Sequence, residues 1–410
     1  MNDLITAPEG TWRTTVKLPS SKSISNRALI LNALSSSPYA VDNLSDCDDT
    51  NLMVNALQAK GGDFNVGAAG TTMRFLTAFL ANRPGEWTIT GTERMKNRPI
   101  KVLVEALNAL GAHISYMEKT GFPPLRISGS ALPGGEIALP GNVSSQYISA
   151  ILMVAPLMEK GVTLHLEGEI VSRPYIHITL QLMKQFGVSA TWEDHTIRVW
   201  PQTYTPIRFL VESDWSAASY WYEMMALSPK AEIELLGLFK ESLQGDAAGA
   251  KLFERLGVET CFTDRGVKLR HTGICCKELT YDFVNEPDLA QTFVVTCALL
   301  GVPFRFTGLQ SLKIKETDRI AALQTELRKL GYLLRDAQDS ILSWDGERCE
   351  PEAHPVIATY EDHRMALSFA PAALVRPEGI AIAHPEVVSK SYPHYWSDLR
   401  AAGFTVRTNE

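Results

Sequence analysis

Apolar residues recur along this chain at helical spacing, in two kinds of segment that alternate. One kind is amphipathic and ends in Leu-x-x-x-Gly or a close relative. It occurs six times, at 56–61, 107–111, 183–187, 253–257, 327–331 and 399–403. Each closing glycine suits the left-handed position that follows a helix C-terminus. The other kind begins near Ser23, Thr71, Ser144, Asp214, Asp288 and Asp362. Its members have little polar face, as at 146–157, 217–227 and 290–300, and are expected to be buried. Between them lie short runs with strand character, at 87–90, 162–166, 232–235, 304–306 and 380–382. Residues 192–200, 261–270 and 332–344 read as hairpins, with charged or glycine-bearing turns.

The repeating unit is therefore strand, buried helix, strand, amphipathic helix, hairpin. Six units pair naturally as three and three, so an α/β (α+β) chain of two similar domains is expected. The predicted domains are 18–212 and 1–17 plus 213–410, with the strand at 14–17 lent across the boundary. Only 63–70 separates the first amphipathic helix from the second buried one. That leaves no room for a hairpin, so the first unit is predicted to be truncated.

Composition narrows the function without fixing it. Of 410 residues, 45% are hydrophobic and 21% charged, which suits a globular protein with sizeable cores. The net charge of −7 disfavours nucleic acid as a partner. No apolar run is long enough to span a membrane. Cys47, Cys261, Cys275, Cys276, Cys297 and Cys349 form no Cys-x-x-Cys pair. They are expected to be reduced and mostly buried, in a cytoplasmic protein. The opening Met-Asn-Asp-Leu lacks the regions of a signal peptide, in line with that location.

The candidate chemistry sits at the starts of the buried helices. The first carries Lys22, Ser23 and Arg27, with Ser20 and Ser21 offering cap oxygens. The second carries Gly70, Thr71 and Arg74, the third Ser144, Ser145 and Gln146. The remaining three carry Asp214, Asp288, and His363 with Arg364. Cations at a helix N-terminus oppose the macrodipole by about 0.3–1 kcal/mol each, so stability alone does not explain them. With hydroxyls and free backbone N–H groups they describe a pocket for a multiply charged anion. Two sets of such ends facing each other would wall a cleft with positive potential, despite the acidic total. Further cations lie on loops: Arg94, Lys96 and Arg98; Lys313, Lys315 and Arg319; and Lys390. Glu316 reads either as a helix-start acid or as a proton-transfer carboxylate among cations. Asp288 reads either as an N-cap or as a general base. No metal, dinucleotide or phosphate-loop motif and no nucleophile elbow is present.

Taken together, the segments 21–27, 69–74, 94–99, 144–146, 315–319 and 362–365 resemble the 5-enolpyruvylshikimate-3-phosphate synthase family over nearly the whole chain. The resemblance implies two domains, each of three βαβαββ units around a pseudo-threefold axis. It implies transfer of the enolpyruvyl group of phosphoenolpyruvate to the 5-hydroxyl of shikimate 3-phosphate, through a tetrahedral adduct that eliminates phosphate. It implies no metal or organic cofactor, small-molecule substrates only, and a monomer. Lys22, Ser23, Arg27, Ser144, Ser145, Gln146, Ser172, Tyr175, Asp288 and Lys315 look like its shikimate 3-phosphate site. Lys22, Gly70, Arg98, Gln146, Arg319, Arg364 and Lys390 look like its phosphoenolpyruvate cradle. Asp288 and Glu316, assisted by Lys22, look like its proton-transfer residues. The chain departs from the family at Ala68 and Ser311, where asparagine is usual. The rival readings are the enolpyruvyl transferase that acts on UDP-N-acetylglucosamine and an inactive phosphate-binding paralogue. The first typically has a cysteine in the loop that here spans 94–99, and this chain has none.

Overall fold

In the computed structural model, which describes residues 2–59 and 61–409, the unit read from the sequence is plainest at 135–199. Strand Gly135–Pro140 leads into helix Ser145–Val154, strand Val162–Glu167, helix Arg173–Gln185 and the hairpin Ala190–Glu193 with Thr196–Val199. The first two strands pair in parallel, Leu139 opposite Leu166, and the hairpin joins antiparallel through Ile197 opposite Leu164. In the second strand Val162, Leu164 and Leu166 alternate inward, the period-2 pattern of a half-buried strand. Four further sheets have the same four-strand form.

The chain divides into two compact units, Ser20–Val211 and Met1–Pro19 with Glu212–Glu410. In each unit one strand pairing joins segments far apart in the chain. Trp12–Lys17 pairs in parallel with Ala231–Leu236, more than two hundred residues later. Reciprocally, Phe209–Leu210 supplies a parallel partner to Val41–Asp42. This two-stranded sheet is the truncated first unit, with no hairpin among the described residues between helices Asp48–Gln58 and Gly70–Ala81. The N-terminal strand Asn2–Thr6 lies inside the last sheet, between Ile380–Ala383 and Thr405–Asn409 and antiparallel to both.

The apolar helices are buried as their composition requires. Every residue of Gly70–Ala81 is buried, and so is all of Trp215–Leu227 except Ser216. After the amphipathic helices, Gly111, Gly187, Gly257, Gly331 and Gly403 take φ of +101, +84, +85, +94 and +98°, which glycine adopts without a Cβ clash. In the first copy, Lys60 lies outside the described residues. The cysteines correct the sequence reading: all six are free, but only Cys47 and Cys297 are buried, and Cys261 and Cys275 are exposed. No helix among the described residues is long and apolar enough to cross a membrane.

One core carboxyl breaks the pattern. Glu223, in helix Trp215–Leu227, is fully buried and its oxygens make no hydrogen bond. Burial pushes its pKa well above the usual carboxyl range. It is therefore held protonated, against about 4.3 in the unfolded chain. The folded state then binds the extra proton, so this group's contribution to stability declines as pH rises above about 4.3. Glu223→Gln stays neutral at every pH. The variant should match the parent near pH 4 and gain on it toward pH 8, by up to about 1.4 kcal/mol per pH unit. Urea midpoints measured across that range check this, and a constant difference would refute it.

Candidate active site

In the unit Ser20–Val211, three buried helices bring the predicted anion-binding residues to their N-termini. Ser21 occupies the N-cap position of Lys22–Leu34, but its hydroxyl makes no capping bond. The Ser20 and Ser21 oxygens therefore do not close this helix end as the sequence suggested. Gly70–Ala81 starts after Ala69, again without a side-chain cap. The third helix is capped: Ser144 accepts from Gln146 N–H at 3.3 Å. The Gln146 amide donates to Thr71 Oγ1 at 3.2 Å, linking the second and third helix starts.

Arg27 is buried and holds this half-site together. It donates to Ser23 O (2.8 Å), Thr179 Oγ1 (2.7 Å), Ser149 Oγ (3.1 Å) and Tyr175 O (3.3 Å), and its guanidinium lies over Phe75. Burial lowers its pKa to about 10, with Tyr175 opposing, so the charge persists at neutral pH. Ser172 sits before helix Arg173–Gln185 at φ +54°, a left-handed backbone that a serine adopts only when its surroundings impose it. Lys22 faces Asp49 at 3.9 Å, a buried acid that the sequence reading did not single out.

Gly70 is a close-approach glycine. A Cβ there would stand 2.7 Å from Arg98 Nη1 and 2.8 Å from Arg74 Nη1. Arg74 is fastened to Gly70 O (3.0 Å) and Pro99 O (3.2 Å). Arg98 reaches Ala68 O at 3.4 Å. Two guanidiniums thus stand against the same glycine, and their combined positive charge favours an anion there.

The unit formed by 1–19 and 212–410 carries the acids. Asp288 is not an N-cap, because helix Ala290–Leu300 is preceded by Leu289. Its carboxylate instead meets Arg364 at 2.8 Å, Arg319 at 3.3 Å and Lys315 at 3.8 Å. Glu316 is not a helix-start acid either. Helix Arg319–Lys329 is capped by Asp318, while Glu316 accepts from Arg319 Nη2 and Lys390 Nζ, both at 3.0 Å. Arg319 is almost fully buried and also grips Asp362 at 2.7 Å. Burial opposes its charge, but Asp362, Glu316 and Asp288 together outweigh that and raise its pKa. About a third of the Lys315 side chain is exposed (32%). Protein nonetheless crowds its ammonium, and this lowers its pKa despite the pull of Asp288. Arg364 donates to the buried Tyr220 hydroxyl at 3.2 Å. Asp362 caps the Arg364 helix start through Arg364 N–H at 2.9 Å. Lys313 stands apart from this cluster, bound to Asp339 with Asp318 and Asp336 about it.

The sequence model of the EPSP synthase (3-phosphoshikimate 1-carboxyvinyltransferase) family matches residues 7–65 and 59–399. The 3-phosphoshikimate 1-carboxyvinyltransferase of Bacteroides fragilis strain YCH46 is 62% identical over 411 residues, covering 100% of both chains. The chain belongs to the EPSP synthase family. The Vibrio atlanticus enzyme of the same name is 40% identical, over 94% of this chain and 96% of its own. A solved EPSP synthase from Acinetobacter baumannii shares the fold, with a TM-score of 0.82 at 20% identity, covering 99% of this chain and 100% of that one. Membership agrees with the resemblance carried by 21–27, 144–146 and 315–319. Asp49 and Tyr220 had no such signal. Each is identified by what it touches.

Proposed function

We propose that this chain transfers the enolpyruvyl group of phosphoenolpyruvate to the 5-hydroxyl of shikimate 3-phosphate, releasing phosphate, as the sixth step toward chorismate. Family membership over the full length supports the reaction and disfavours the UDP-N-acetylglucosamine alternative. The observation that carries the mechanism is the pair of carboxylates, Asp288 and Glu316, each held by several cations. An inactive phosphate-binding protein has no use for both.

The family resemblance supports the roles. It assigns Ser23, Arg27, Ser144, Ser145, Gln146, Ser172, Tyr175, Lys315 and Asp288 to shikimate 3-phosphate, and Arg27 braces Ser23 and Tyr175 through their carbonyls. Three cations keep Asp288 ionised, as a base accepting the 5-hydroxyl proton must be. The same resemblance assigns Lys22, Gly70, Arg98, Gln146, Arg319, Arg364 and Lys390 to phosphoenolpyruvate. Its anionic groups draw Lys390 and Arg319 away from Glu316. That relieves the charge pairing of the carboxylate and lets it carry a proton to the methylene carbon. Oxocarbenium character at the neighbouring carbon is met by the oxygen of the ionised hydroxyl. In the elimination that follows, Glu316, having given up its proton, takes one back from the new methyl group as the bond to phosphate breaks and the double bond re-forms. Lys22 assists at the departing phosphate, where cations stabilise the developing charge. Free thiols support a cytoplasmic location, and the same reading takes the chain as a monomer. Phosphate release from the two substrates together, and from neither alone, tests the function. Its absence would overturn it.

Gly70→Ala tests the cradle. The added methyl has to displace the Arg98 guanidinium, since Arg74 is tied to two carbonyls. Losing one charge-assisted hydrogen bond, about 1.5–3 kcal/mol, should raise KM for phosphoenolpyruvate roughly tenfold or more. Shikimate 3-phosphate affinity should be unchanged. An unaltered KM would remove Arg98 from the phosphoenolpyruvate site.

A further inference from the structure

Glu326 belongs to none of the groups assigned above, yet it is a fully buried carboxyl on the helix that carries Arg319. The two stand about two helical turns apart and so share a face. That face holds the segment 356–364 at two levels. At the helix start Arg319 Nε grips Asp362 at 2.7 Å. Two turns on, Glu326 Oε2 accepts from Ala358 N–H at 3.0 Å, and Oε1 accepts from the Tyr360 hydroxyl at 2.6 Å. Lys329 completes the clamp. Its ammonium donates to Glu326 at 2.7 Å and to Val356 O at 2.8 Å. Three donors, one of them a cation, offset the cost of taking the carboxyl out of water.

What the clamp grips is a strained turn. Tyr360 and Glu361 take φ of +54 and +55°, two successive left-handed residues, neither of them glycine. L side chains rarely adopt that backbone, and it persists only where the surroundings impose it. A bond from Asp362 N–H to Thr359 O, at 2.8 Å, closes the turn. Before the turn, Val356–Ile357 is fixed as a strand parallel to Ile380–Ala383. After it come Asp362 and Arg364. Asp362 accepts from Arg364 N–H at 2.9 Å. The Arg364 guanidinium reaches Asp288 at 2.8 Å and the Tyr220 hydroxyl at 3.2 Å.

We propose that Glu326 is a positioning residue for phosphoenolpyruvate binding. Through Ala358 and Tyr360 it holds the left-handed turn, and the turn aims Arg364. Without the clamp, residues 360 and 361 relax toward negative φ and Arg364 leaves its place beside Asp288. The proposal rests on the placement of Arg364 in the phosphoenolpyruvate cradle.

The test is KM for phosphoenolpyruvate at saturating shikimate 3-phosphate. Calorimetric affinity for shikimate 3-phosphate and urea midpoints are measured on the same proteins. Tyr360→Phe removes one hydroxyl from an exposed ring and carries the test if Glu326→Gln does not fold. It should raise the KM by about threefold to tenfold, the net worth of one hydrogen bond passed on to the substrate. Glu326→Gln cannot accept at both ends and should raise it at least as far. Affinity for shikimate 3-phosphate should stay within about twofold, because Asp288 keeps Arg319 and Lys315. Adding Glu361→Gly to Tyr360→Phe lets the left-handed backbone form without a Cβ clash, so the double variant should recover much of the lost KM. Parent-like KM values in Tyr360→Phe and Glu326→Gln, with only the urea midpoints lowered, would overturn the proposal and leave the clamp a structural brace. So would a double variant with no recovery, or a loss of shikimate 3-phosphate affinity as large as the rise in KM. Arg364→Gln with unchanged KM would instead overturn the placement of Arg364, which separates the two failures.

Discussion

Glu316→Gln is expected to lower turnover by about two to four orders of magnitude, the usual scale for a general acid–base group. The substitution keeps the side chain's length and one carbonyl oxygen. That oxygen can still accept from either Lys390 or Arg319, which each donate at 3.0 Å in the parent. The other terminal group becomes an NH2, which cannot accept from the second cation and cannot carry the proton. Binding of shikimate 3-phosphate does not involve this proton, so its calorimetric affinity should stay within about twofold. The loss therefore belongs to kcat. Methylene-proton exchange into phosphoenolpyruvate from solvent, followed in deuterated buffer, should slow in parallel. A variant with turnover near the parent's would take Glu316 out of proton transfer and leave it as a holder of Lys390 and Arg319.

Much of this architecture was legible because the repeat is local. A helix that ends in glycine leaves the same mark each time, and five of those glycines do take positive φ. The apolar helices declared their burial through composition, and Gly70–Ala81 is buried at every position. What could not be read was pairing across long stretches of chain. Phe209–Leu210 beside Val41–Asp42, and Asn2–Thr6 inside the last sheet, are set by tertiary packing with no nearby signal. The same limit applies to the site. Asp288 had two readings from sequence, N-cap or functional carboxylate. The position of the helix start, after Leu289, excludes the first, and the three cations around the carboxylate are visible only in the folded chain. Asp49 and Tyr220 are ordinary residues in the sequence. Their burial and partners, which distinguish them, are properties of the folded chain.

Arg27 and Arg319 look alike as basic residues near helix starts, but their surroundings predict different behaviour when the charge is removed. Arg27 is held by hydroxyls and carbonyls, whereas Arg319 is shared by Asp362, Asp288 and Glu316. Arg319→Met should destabilise the fold by about 3–5 kcal/mol, the scale for breaking a buried ion pair from one side. Most of that loss is expected at Asp362. Asp288 keeps Arg364 and Lys315, and Glu316 keeps Lys390. Asp362 is fully buried and keeps the backbone N–H of Arg364 at 2.9 Å, with the His363 ring at 3.8 Å. Adding Asp362→Asn to Arg319→Met removes the orphaned charge, so the double variant should recover much of the lost stability. In Asp362→Asn alone, Arg319 still has Glu316 and Asp288, and the loss should be smaller. The coupling in this cycle, read from urea midpoints of the four proteins, should reach about 1–3 kcal/mol. Stability is the right measurement, because both substitutions also disturb the substrate cradle and activity would not separate the two effects. If Arg319→Met unfolds at the parent's midpoint, the neighbouring cations have taken over all three carboxylates, and Arg319 serves the substrate alone. If instead the double variant is no more stable than Arg319→Met, the loss lies in packing around the guanidinium stem, and Asp362 is not the residue that depends on it.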